Sequence, residues 1–463
     1  MSSLSEKLDK IFHPKSIAII GASRTPGKVG YDFLKSLIDC GYKGKIYPIN
    51  PASGEILNLK AYPSITDVPG KVDLAVIAVP APIVPKVTKE CAKKGVEGII
   101  ILSSGFSETG SEGKKREEEI VNILKGTGIR VIGPNCNGIY CHSSAVSFIS
   151  SASVQLKYAE SDPIAFISQS GSLCNLFRQM LLARGIKLDK FVSSGNEADL
   201  TATDYLEYFG NDPRIKIIAA YLECIRKGRK FLEQAKKISK KKPIIIWKAG
   251  RTKAGARAAF SHTAALSSSD TIYDAVFRQT GVIRAMGIDE LVDFTVAFLR
   301  VPYPKGRNVA IISGPGGPAV AAADASEMAG LNVPELSKKT QNKLREFLPP
   351  FAGVRNPVDM TMQSIKNVEW YKIATDTVMR DENIDMVLII LPPPGRGLTE
   401  CAKLMMEEKE NYKKPIVFVC MAGKTEEGVK LLEKAGFSVF PTVERAAKAL
   451  AVLVRYREYL ESR

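Results

Sequence analysis

Short apolar runs alternate with longer amphipathic stretches along most of the chain. The runs are rich in Ile and Val, whereas the stretches between them mix charged and apolar positions. Buried strands of a parallel sheet give continuous apolar runs, because helices cover both faces of the sheet. The pattern therefore predicts an α/β protein with doubly wound sheets.

The predicted strands fall into three groups. The first group comprises Ser16–Ile20, Gly44–Ile49, Leu74–Val79, Gly98–Leu102 and Ile129–Ile132. The second comprises Ile164–Ile167, Phe191–Val192, Ile215–Leu222, Ile244–Trp247 and Val282–Ile283. The third comprises Val309–Ile312, Met386–Leu391, Ile416–Val419 and Ser438–Phe440. A polar stretch over 142–162 and a linker over 301–306 separate them, so we predict three doubly wound domains, residues 1–145, 146–300 and 301–463.

Length and composition agree with this organisation. The chain has 463 residues, 45% hydrophobic and 25% charged, which is typical of a globular protein with about three domains of roughly 150 residues each. No apolar run approaches the roughly 18 residues of a membrane span, and the N-terminus has no apolar signal core. We therefore expect a cytoplasmic protein without a membrane partner. The eight cysteines are scattered without a C-x-x-C pair, which favours reduced thiols and gives no zinc spacing.

The net charge of +16 favours anionic partners. Nucleic acid, acidic lipid and a polyphosphate cofactor would all suit it. The basic run over 236–242 has no interleaved aromatic residues and no nucleic-acid reader motif, so we expect a solvated helix end there and no nucleic-acid partner.

The first predicted strand runs into a glycine-rich turn that begins at Gly21 and precedes a helix near Tyr31. Backbone N–H groups and a helix N-terminus then point at a common anion site. The dinucleotide fingerprint fails, because Ser23 occupies the second glycine position and Asn50 stands where an acid would bind a ribose. With Arg24 and Lys28 nearby, the turn suits a phosphate-rich nucleotide such as coenzyme A (CoA). A glycine turn needed only for packing is the alternative.

Later strand ends in the first group also carry polar residues or proline. They include Val79-Pro80, the segment Ser103-Ser104-Gly105 with Glu108, and Asn135-Cys136. Because the carboxyl ends of parallel strands share one sheet edge, these positions favour a long ligand across that edge. Taken alone, the segment Val79-Pro80 and the segment over 103–108 could each be an ordinary turn without a ligand.

In the second group, two predicted helices begin after small polar residues. Ser168-Gln169-Ser170-Gly171-Ser172 precedes one helix, and Ser193-Ser194-Gly195-Asn196 precedes the other. Helix N-termini flanked by hydroxyl groups are favourable phosphate sites. Simple Ser/Asn capping of each helix is the alternative.

A stretch dominated by small residues, Arg251–Ser269, is predicted to be a long loop, and long loops in compact domains are commonly functional. His262 lies near its centre. A neutral imidazole attacks phosphorus well when a carboxylate orients its other nitrogen. Glu223 is the candidate carboxylate, because it follows an apolar strand at the carboxyl edge. A solvated surface histidine is the alternative.

These motifs, in this order, resemble those of the NDP-forming acyl-CoA synthetases, which are relatives of succinyl-CoA synthetase. The segments that carry the resemblance are Gly21-Ala22-Ser23, Ala78-Val79-Pro80, Gly133-Pro134-Asn135-Cys136, Ser168-Gln169-Ser170-Gly171, Tyr221-Leu222-Glu223 and Ser261-His262-Thr263. A third group of strands follows, as in the alpha subunits of two-subunit, ADP-forming acetyl-CoA synthetases. The resemblance implies a Rossmann-like CoA-binding domain followed by two flavodoxin-like domains.

The resemblance also implies a reaction. Acyl-CoA, with acetyl-CoA favoured by family habit, reacts with phosphate to give an acyl phosphate, which phosphorylates a histidine; the phosphohistidine then phosphorylates ADP. The implied catalytic residues are His262 and Glu223. The implied CoA-binding residues are Gly21, Ala22, Ser23, Arg24, Lys28, Asn50, Val79, Pro80, Ser103, Ser104, Gly105, Glu108, Asn135 and Cys136. The implied phosphate-binding residues are Gln169, Ser170, Gly171, Ser172, Gly195 and Asn196.

We find no ATP-grasp pattern in the chain. The resemblance therefore implies that ADP or ATP, with Mg²⁺, binds a separate ATP-grasp beta subunit, in an α2β2 heterotetramer that performs substrate-level phosphorylation. Two departures stand out: Asn137 occupies a position where the resemblance leads us to expect Leu or Pro, and Ala264 replaces a glycine after the histidine. The alternative function is a CoA-binding regulatory or scaffold protein without phosphoryl transfer.

Overall fold

A computed structural model of the chain describes residues 3–52, 54–148, 160–263, 269–421 and 426–462, with only the backbone of residues 260–263 described. The chain forms two compact units. The first contains residues 1–182 and 186–286, and the second contains residues 183–185 and 287–463.

The first unit holds two large sheets and a short hairpin. Its strands are Ser16–Ile20 (β1), Lys45–Ile49 (β2), Glu55–Ile56 (β3), Leu59–Lys60 (β4), Leu74–Ile77 (β5), Gly98–Ile101 (β6), Arg130–Ile132 (β7), Gly138–Cys141 (β8), Val146–Ser147 (β9), Asp162–Ser168 (β10), Leu188–Ser193 (β11), Ile217–Leu222 (β12), Ile244–Lys248 (β13) and Ile283–Ala285 (β14). Its helices are Leu4–Phe12 (α1), Val29–Asp39 (α2), Val84–Lys94 (α3), Ser111–Leu124 (α4), Gly171–Leu182 (α5), Ala202–Asn211 (α6), Gly228–Ile238 (α7), Lys253–Thr263 (α8) and Asp270–Thr280 (α9).

The first sheet is parallel throughout, with strand order β2-β1-β5-β6-β7. Every residue of β1 is buried, as expected for a strand that helices cover on both faces. The parallel strand order therefore confirms the doubly wound arrangement that the apolar runs predict for the first sheet.

The second sheet has strand order β14-β13-β12-β10-β11-β8-β9. Strands β10 to β14 pair in parallel, whereas β8 pairs with both β11 and β9 in antiparallel fashion. The apolar pattern does not predict β8 and β9, which return the chain from the first sheet to the edge of the second. The predicted domain limits stay a prediction.

Helix α8 corrects the prediction of a loop over Arg251–Ser269. Thr252 begins the helix: its Oγ1 accepts the N–H of Gly255 at 3.0 Å, and its carbonyl oxygen accepts the N–H of Ala256 at 2.7 Å. Alanine, lysine and arginine, which are common here, have the highest helix propensities, so small side chains do not by themselves indicate a loop. Residues 264–268 of the predicted loop lie outside the described residues.

The second unit is one parallel sheet with order β16-β15-β17-β18-β19, covered by helices. Its elements are Ile288–Arg300 (α10), Val309–Ser313 (β15), Gly316–Met328 (α11), Lys338–Arg345 (α12), Val358–Asp359 (β16), Glu369–Met379 (α13), Met386–Ile390 (β17), Arg396–Glu407 (α14), Ile416–Val419 (β18), Glu427–Lys434 (α15), Val439–Phe440 (β19) and Val443–Glu461 (α16). Arg184 belongs to this unit because its guanidinium donates to the buried carboxylate of Asp293 at 2.7 Å.

All eight cysteines are buried, and none of them forms a disulfide bond. Among the described residues, no helix combines the length and the apolar character that a membrane crossing requires.

Candidate functional site

The turn after β1 brings the start of α2 close to β5. Gly21 has a left-handed φ of 90°, and a Cβ atom there would lie 2.4 Å from the carbonyl oxygen of Ala78. A Cβ atom on Gly30 would lie 2.0 Å from the carbonyl oxygen of Gly21. Only glycine fits both positions, so the turn closes tightly on the helix N-terminus. Arg24 and Lys28 are exposed on this turn, where they reinforce a site suited to anions.

Asn50 supports this turn with both ends of its side chain. Its Nδ2 donates to the carbonyl oxygen of Ala22 at 2.7 Å, and its Oδ1 accepts the N–H of Ala52 at 2.8 Å. The hydroxyl of Ser23 accepts the N–H of Thr25 at 3.0 Å. These two predicted CoA-binding side chains therefore shape the turn.

The turn after β6 is fastened to the turn after β5. The hydroxyl of Ser103 donates to the carbonyl oxygen of Val79 at 2.5 Å. The carboxylate of Glu108 accepts the N–H groups of Gly105 and Phe106 at 2.6 and 3.1 Å. Two more predicted residues at this edge are exposed, Pro80 and Ser104. The predicted CoA-binding turns thus form one continuous edge.

Loops from the two sheets meet at Pro134 and Gly195. A Cβ atom on Gly195 would lie 2.2 Å from the carbonyl oxygen of Pro134, and this carbonyl accepts the N–H of Asn196 at 2.9 Å. Asn135, which has a left-handed φ of 56°, donates from Nδ2 to Oδ1 of Asn196 at 3.3 Å. The loop with the predicted phosphate-binding residues Gly195 and Asn196 therefore lies directly against the loop with the predicted CoA-binding residues Asn135 and Cys136.

Asn196 extends this junction to the turn after β6. Its Nδ2 lies 2.5 Å from a carboxylate oxygen of Glu108, and 3.1 Å from both a Glu117 carboxylate oxygen and the hydroxyl of Ser107. Burial alone would raise the pKa of Glu108, but hydrogen bonds from Asn196 and from backbone N–H groups lower it below its ordinary value. Glu108 is therefore an anion that ties the two sheets together.

Cys136 is enclosed beneath this junction. Its Sγ lies 3.3 Å from the carbonyl oxygen of Ile101, and burial raises the pKa of its thiol to about 12. The thiol is neutral near pH 7, so it contributes packing and has no nucleophilic character.

At the second sheet, Gln169 clamps the end of β12. Its Nε2 donates to the carbonyl oxygen of Cys224 at 3.0 Å, and its Oε1 accepts the N–H groups of Glu223 and Cys224 at 2.6 and 3.0 Å. The next residues open α5, and the hydroxyls of Ser170 and Ser172 lie 3.1 Å apart at the helix start. The clamp holds Glu223 beside an N-terminus suited to phosphate.

Glu223 is buried at the carboxyl end of β12. Its carboxylate accepts the hydroxyl of Tyr221 at 3.2 Å, and its carbonyl oxygen accepts from Nζ of Lys248 at 2.7 Å. Lys248 is also buried, and its ammonium lies 4.4 Å from the ring centre of Tyr273. Burial lowers the pKa of Lys248 from 10.5 to about 8.

His262 lies in the last turn of α8, and its side chain is outside the described residues. Helix α8 contacts the turn Ser107–Thr109, which also carries Glu108. Part of the helix that carries the predicted nucleophile therefore lies against a turn with a predicted CoA-binding residue. Gly250, with a left-handed φ of 75°, joins β13 to this helix region.

Three ionisable groups at this site are absent from the sequence-based predictions: the buried Glu197 and Lys248, and the exposed Arg226. Glu197 has a left-handed φ of 57°, and burial raises its carboxyl pKa to about 7. Its Oε1 accepts the hydroxyl of Ser194 at 2.8 Å, and Arg226 donates to the carbonyl oxygen of Asn196 at 2.9 Å. Of these three residues, only Lys248 could have been recognised from the sequence, because a lysine at the end of an apolar strand is expected at the carboxyl edge of the sheet.

Three family models match consecutive parts of the chain. They are a CoA binding domain over residues 15–142, a succinyl-CoA ligase like flavodoxin domain over residues 161–298 and a Ligase-CoA domain over residues 309–459. Together with the sheet edge at which the predicted CoA-binding turns lie, this series of domains defines an acid–thiol ligase that uses CoA.

The chain is similar to named relatives over nearly its whole length. It is 43% identical over 457 residues to the alpha subunit of acetate–CoA ligase [ADP-forming] II of Pyrococcus furiosus, with 97% of each chain covered. It is 35% identical over 458 residues to the 4-hydroxybutyrate–CoA ligase [ADP-forming] of Nitrosopumilus maritimus, covering 98% of this chain and 64% of that one. A solved structure of the Ca. Korarchaeum cryptofilum dinucleotide forming acetyl-coenzyme A synthetase 1, in complex with phosphate and ADP, is similar to this chain with a TM-score of 0.88 and 35% sequence identity, and the match covers 98% of each chain.

The chain belongs to the ADP-forming acyl-CoA synthetases and corresponds to their alpha subunit. The fold class expected from the sequence is confirmed by these matches. The roles of the individual site residues stay predictions.

Proposed function

We propose that this chain, with an ATP-grasp beta subunit, converts acyl-CoA, phosphate and ADP reversibly to the free acid, CoA and ATP, with acetyl-CoA among its substrates. The observation that carries the proposal is the set of contacts around Asn196. These contacts join the turns with predicted CoA-binding residues, the loop with predicted phosphate-binding residues and the turn Ser107–Thr109, which α8 contacts. The names of the relatives, which are ADP-forming CoA ligases, support the reaction class.

In the first step, a phosphate oxygen attacks the thioester carbonyl carbon of acyl-CoA. The C–O bond forms, the C–S bond breaks, and the CoA thiolate leaves and takes up a proton. The backbone N–H groups of the first turn of α5, which begins at Gly171, and the hydroxyl of Ser170 would hold the phosphate. The N–H of Ser170 itself donates to the hydroxyl of Ser168 at 3.1 Å. Gln169 and Asn196 act as positioning residues here, because their side chains are engaged with the protein.

In the second step, an imidazole nitrogen of His262 attacks the phosphorus of the acyl phosphate. The P–N bond forms, the P–O bond to the acyl group breaks, and the carboxylate leaves. Glu223 would orient the imidazole through the N–H of its other nitrogen and stabilise the charge that develops there. The backbone hydrogen bonds that Glu223 makes with Gln169 and Lys248 fix it for this purpose.

In the third step, the phosphoryl group passes from His262 to ADP. We assign ADP, ATP and Mg²⁺ to the partner, in an α2β2 assembly, because the chain shows no nucleotide-clamp pattern. The Nitrosopumilus relative is longer, and this chain covers 64% of it. The additional length supports our assignment of ADP and ATP binding to a part that lies outside the matched region. Helix α8 would then carry His262 between the two subunits.

The test is labelling of the complex of this chain with its beta subunit, using acetyl-CoA and radioactive phosphate. We expect acid-labile label on the wild-type chain, none on His262→Ala, and full label on the matched control His142→Ala, which alters a histidine outside the site. Label that survives His262→Ala would overturn the proposal. CoA binding without any phosphate uptake would instead support the regulatory or scaffold alternative.

A further inference from the structure

A cavity of about 160 Å³ lies in the first unit, between α4 and β7, the edge strand of the first sheet. The loop that follows β11 forms a third wall. Among the described residues, no predicted catalytic, CoA-binding or phosphate-binding residue lines the cavity. The cavity is therefore separate from the candidate functional site.

Most of the lining is aliphatic. The aliphatic residues come from one face of α4, from β7 and the residue before it, and from the loop after β11: Ile120, Val121, Leu124, Ile129, Val131 and Ala198. Val121 is 42% exposed, so the cavity opens to solvent on that side. A cavity of about 150 Å³ with apolar walls binds benzene, so this one has room for an apolar body of about six carbon atoms.

Two charged residues, Asp199 and Lys125, complete the lining. The carboxylate of Asp199 accepts from Nε and Nη2 of Arg130, both at 2.8 Å, and from the N–H of Val131 at 2.9 Å. Its negative charge is therefore already balanced. Lys125, directly after α4, is exposed, and its ammonium forms no hydrogen bond or ion pair with the described residues. The cavity thus has one uncompensated positive charge, which favours an anionic group.

Two walls of the cavity continue into the contacts around Asn196. Glu117 lies on α4 one turn before Val121, and its carboxylate lies 3.1 Å from Nδ2 of Asn196. On the facing wall, Ala198 follows Asn196 by two residues, and its N–H donates to the carbonyl oxygen of Gly133 at 3.0 Å. A ligand that contacts both walls therefore holds α4 against the loop that carries Asn196.

We propose that this cavity is a regulatory site for a small monocarboxylate whose apolar body, a phenyl ring or a branched alkyl group, has about six carbon atoms. The body fills the space between α4 and β7, and the carboxylate pairs with Lys125. Occupancy favours the arrangement in which Asn196 bonds to Glu108, and so tightens CoA binding at the neighbouring turns. The proposal requires CoA binding by this chain but does not depend on the phosphoryl transfer proposed above.

Titration calorimetry of the full chain tests the site with three probes: phenylacetate, its neutral analogue phenylacetamide, and acetate. We expect phenylacetate to bind, and phenylacetamide to bind about fivefold more weakly, as for an ion pair that water partly reaches. Acetate should bind more weakly than either, because it has no apolar body to bury. Phenylacetamide or acetate that binds as tightly as phenylacetate would overturn the proposal.

Two variants locate the binding site. Lys125→Gln should weaken phenylacetate binding about fivefold, whereas Lys115→Gln, which alters an exposed lysine of the same helix, should leave it unchanged. Val121→Phe fills the cavity from its open side and should weaken binding further, and its control Ile38→Phe enlarges an exposed residue of α2. Phenylacetate affinity that neither Lys125→Gln nor Val121→Phe lowers would place the ligand elsewhere and overturn the proposal.

The regulatory role is measured as the affinity of the full chain for CoA with and without saturating phenylacetate. We expect phenylacetate to tighten CoA binding about fivefold or more, the usual size of coupling between two sites. Val121→Phe should abolish this gain. An unchanged or weaker CoA affinity of the wild type would overturn the proposal, and a weaker one would show that phenylacetate competes at the CoA site. Loss of label in the phosphate experiment above would refute the reaction without changing these binding measurements.

Discussion

The Nζ atom of Lys248 lies 2.7 Å from the carbonyl oxygen of Glu223 and 2.5 Å from that of Ala249. One buried ammonium thus joins the carboxyl ends of β12 and β13, from which Glu223 and the segment leading to His262 depart. We therefore predict that Lys248 acts as a positioning residue for His262, the proposed nucleophile, without touching a substrate.

Replacing Lys248 with methionine should slow phosphorylation of His262 about tenfold or more, since hydrogen bonds of a charged group contribute roughly 1.5–3 kcal/mol. Single-turnover labelling of the complex with radioactive phosphate measures this rate. The control Lys241→Met removes an exposed lysine just before β13, at the opposite edge of the sheet, and should have no effect. Equal rates for both variants would exclude the positioning role.

Lys248 should also make stability depend on pH. The pKa of Lys248 is about 8 in the folded chain, against an ordinary value of 10.5. Between these two pH values, Lys248 is therefore protonated in the unfolded chain and mostly deprotonated in the folded chain. The unfolding free energy of the wild type should therefore rise with pH across this window, relative to Lys248→Met. Urea denaturation at pH 7, 8 and 10 tests this; a difference between the two proteins that stays constant would contradict the lowered pKa.

Glu197 should have the opposite dependence in an acidic window. Burial raises its pKa from 4.5 to about 7, so the folded chain binds the extra proton between these values. Relative to Glu197→Gln, the wild type should lose stability as pH rises from 4.5 to 7, by about 1.4 kcal/mol per pKa unit, and then level off. Denaturation curves of both proteins at pH 5, 6 and 7.5 give the comparison, and parallel curves would show that Glu197 ionises normally.

Two glycines of the same turn provide a matched pair. Gly21 and Gly27 both have positive φ, of 90° and 83°, but only at Gly21 would a Cβ atom meet backbone. Gly27→Ala should cost roughly 1–2 kcal/mol of stability through its backbone conformation alone. Gly21→Ala should cost more and weaken CoA binding, because the turn must move away from Ala78. Thermal denaturation and CoA titration calorimetry of both variants test the distinction, and similar losses would contradict it.

The hydrogen bond between Asn196 and Glu108 should carry a measurable coupling energy. A double-mutant cycle with Asn196→Ala and Glu108→Ala is expected to give about 1.5–3 kcal/mol in urea unfolding, as for other bonds to a charged group. Asn196→Ala combined with Glu410→Ala, which alters an exposed residue of the second unit, should be additive. Additivity in the first cycle as well would show that the junction is not coupled.

The sequence predicts the parallel strands well because their apolar runs are unbroken. Strand β1 is buried at all five positions, and the predicted bounds Ser16–Ile20 match the observed ones. The antiparallel strands β8 and β9 are short and lie in or beside a polar stretch, so no apolar run indicates them. The loop prediction over Arg251–Ser269 is wrong for Lys253–Thr263, because alanine favours helix when a start such as Thr252 is present.

The candidate site is predictable only where a residue lies at a strand end. Gly21 directly follows a strand of the first sheet, and Glu223 and the residues around Ser170 directly follow strands of the second sheet, so the functional edge of each sheet could be inferred separately. The contact between Asn196 and Glu108 could not, since it joins loops 88 positions apart that belong to different sheets. Spacing along the chain contains no information on how two sheets are placed against each other.

The close approach of Gly195 to Pro134 has a consequence for domain exchange. A chimaera that takes residues 15–142 from a relative would place foreign partners around Gly195 and Asn196. The graft should assemble a working site only when the loop over 193–198 is transferred with it. The smallest part of this chain that can be exchanged as a unit is therefore larger than the CoA-binding domain. A recombination boundary between the Pro134 loop and the Gly195 loop would separate residues that must be transferred together.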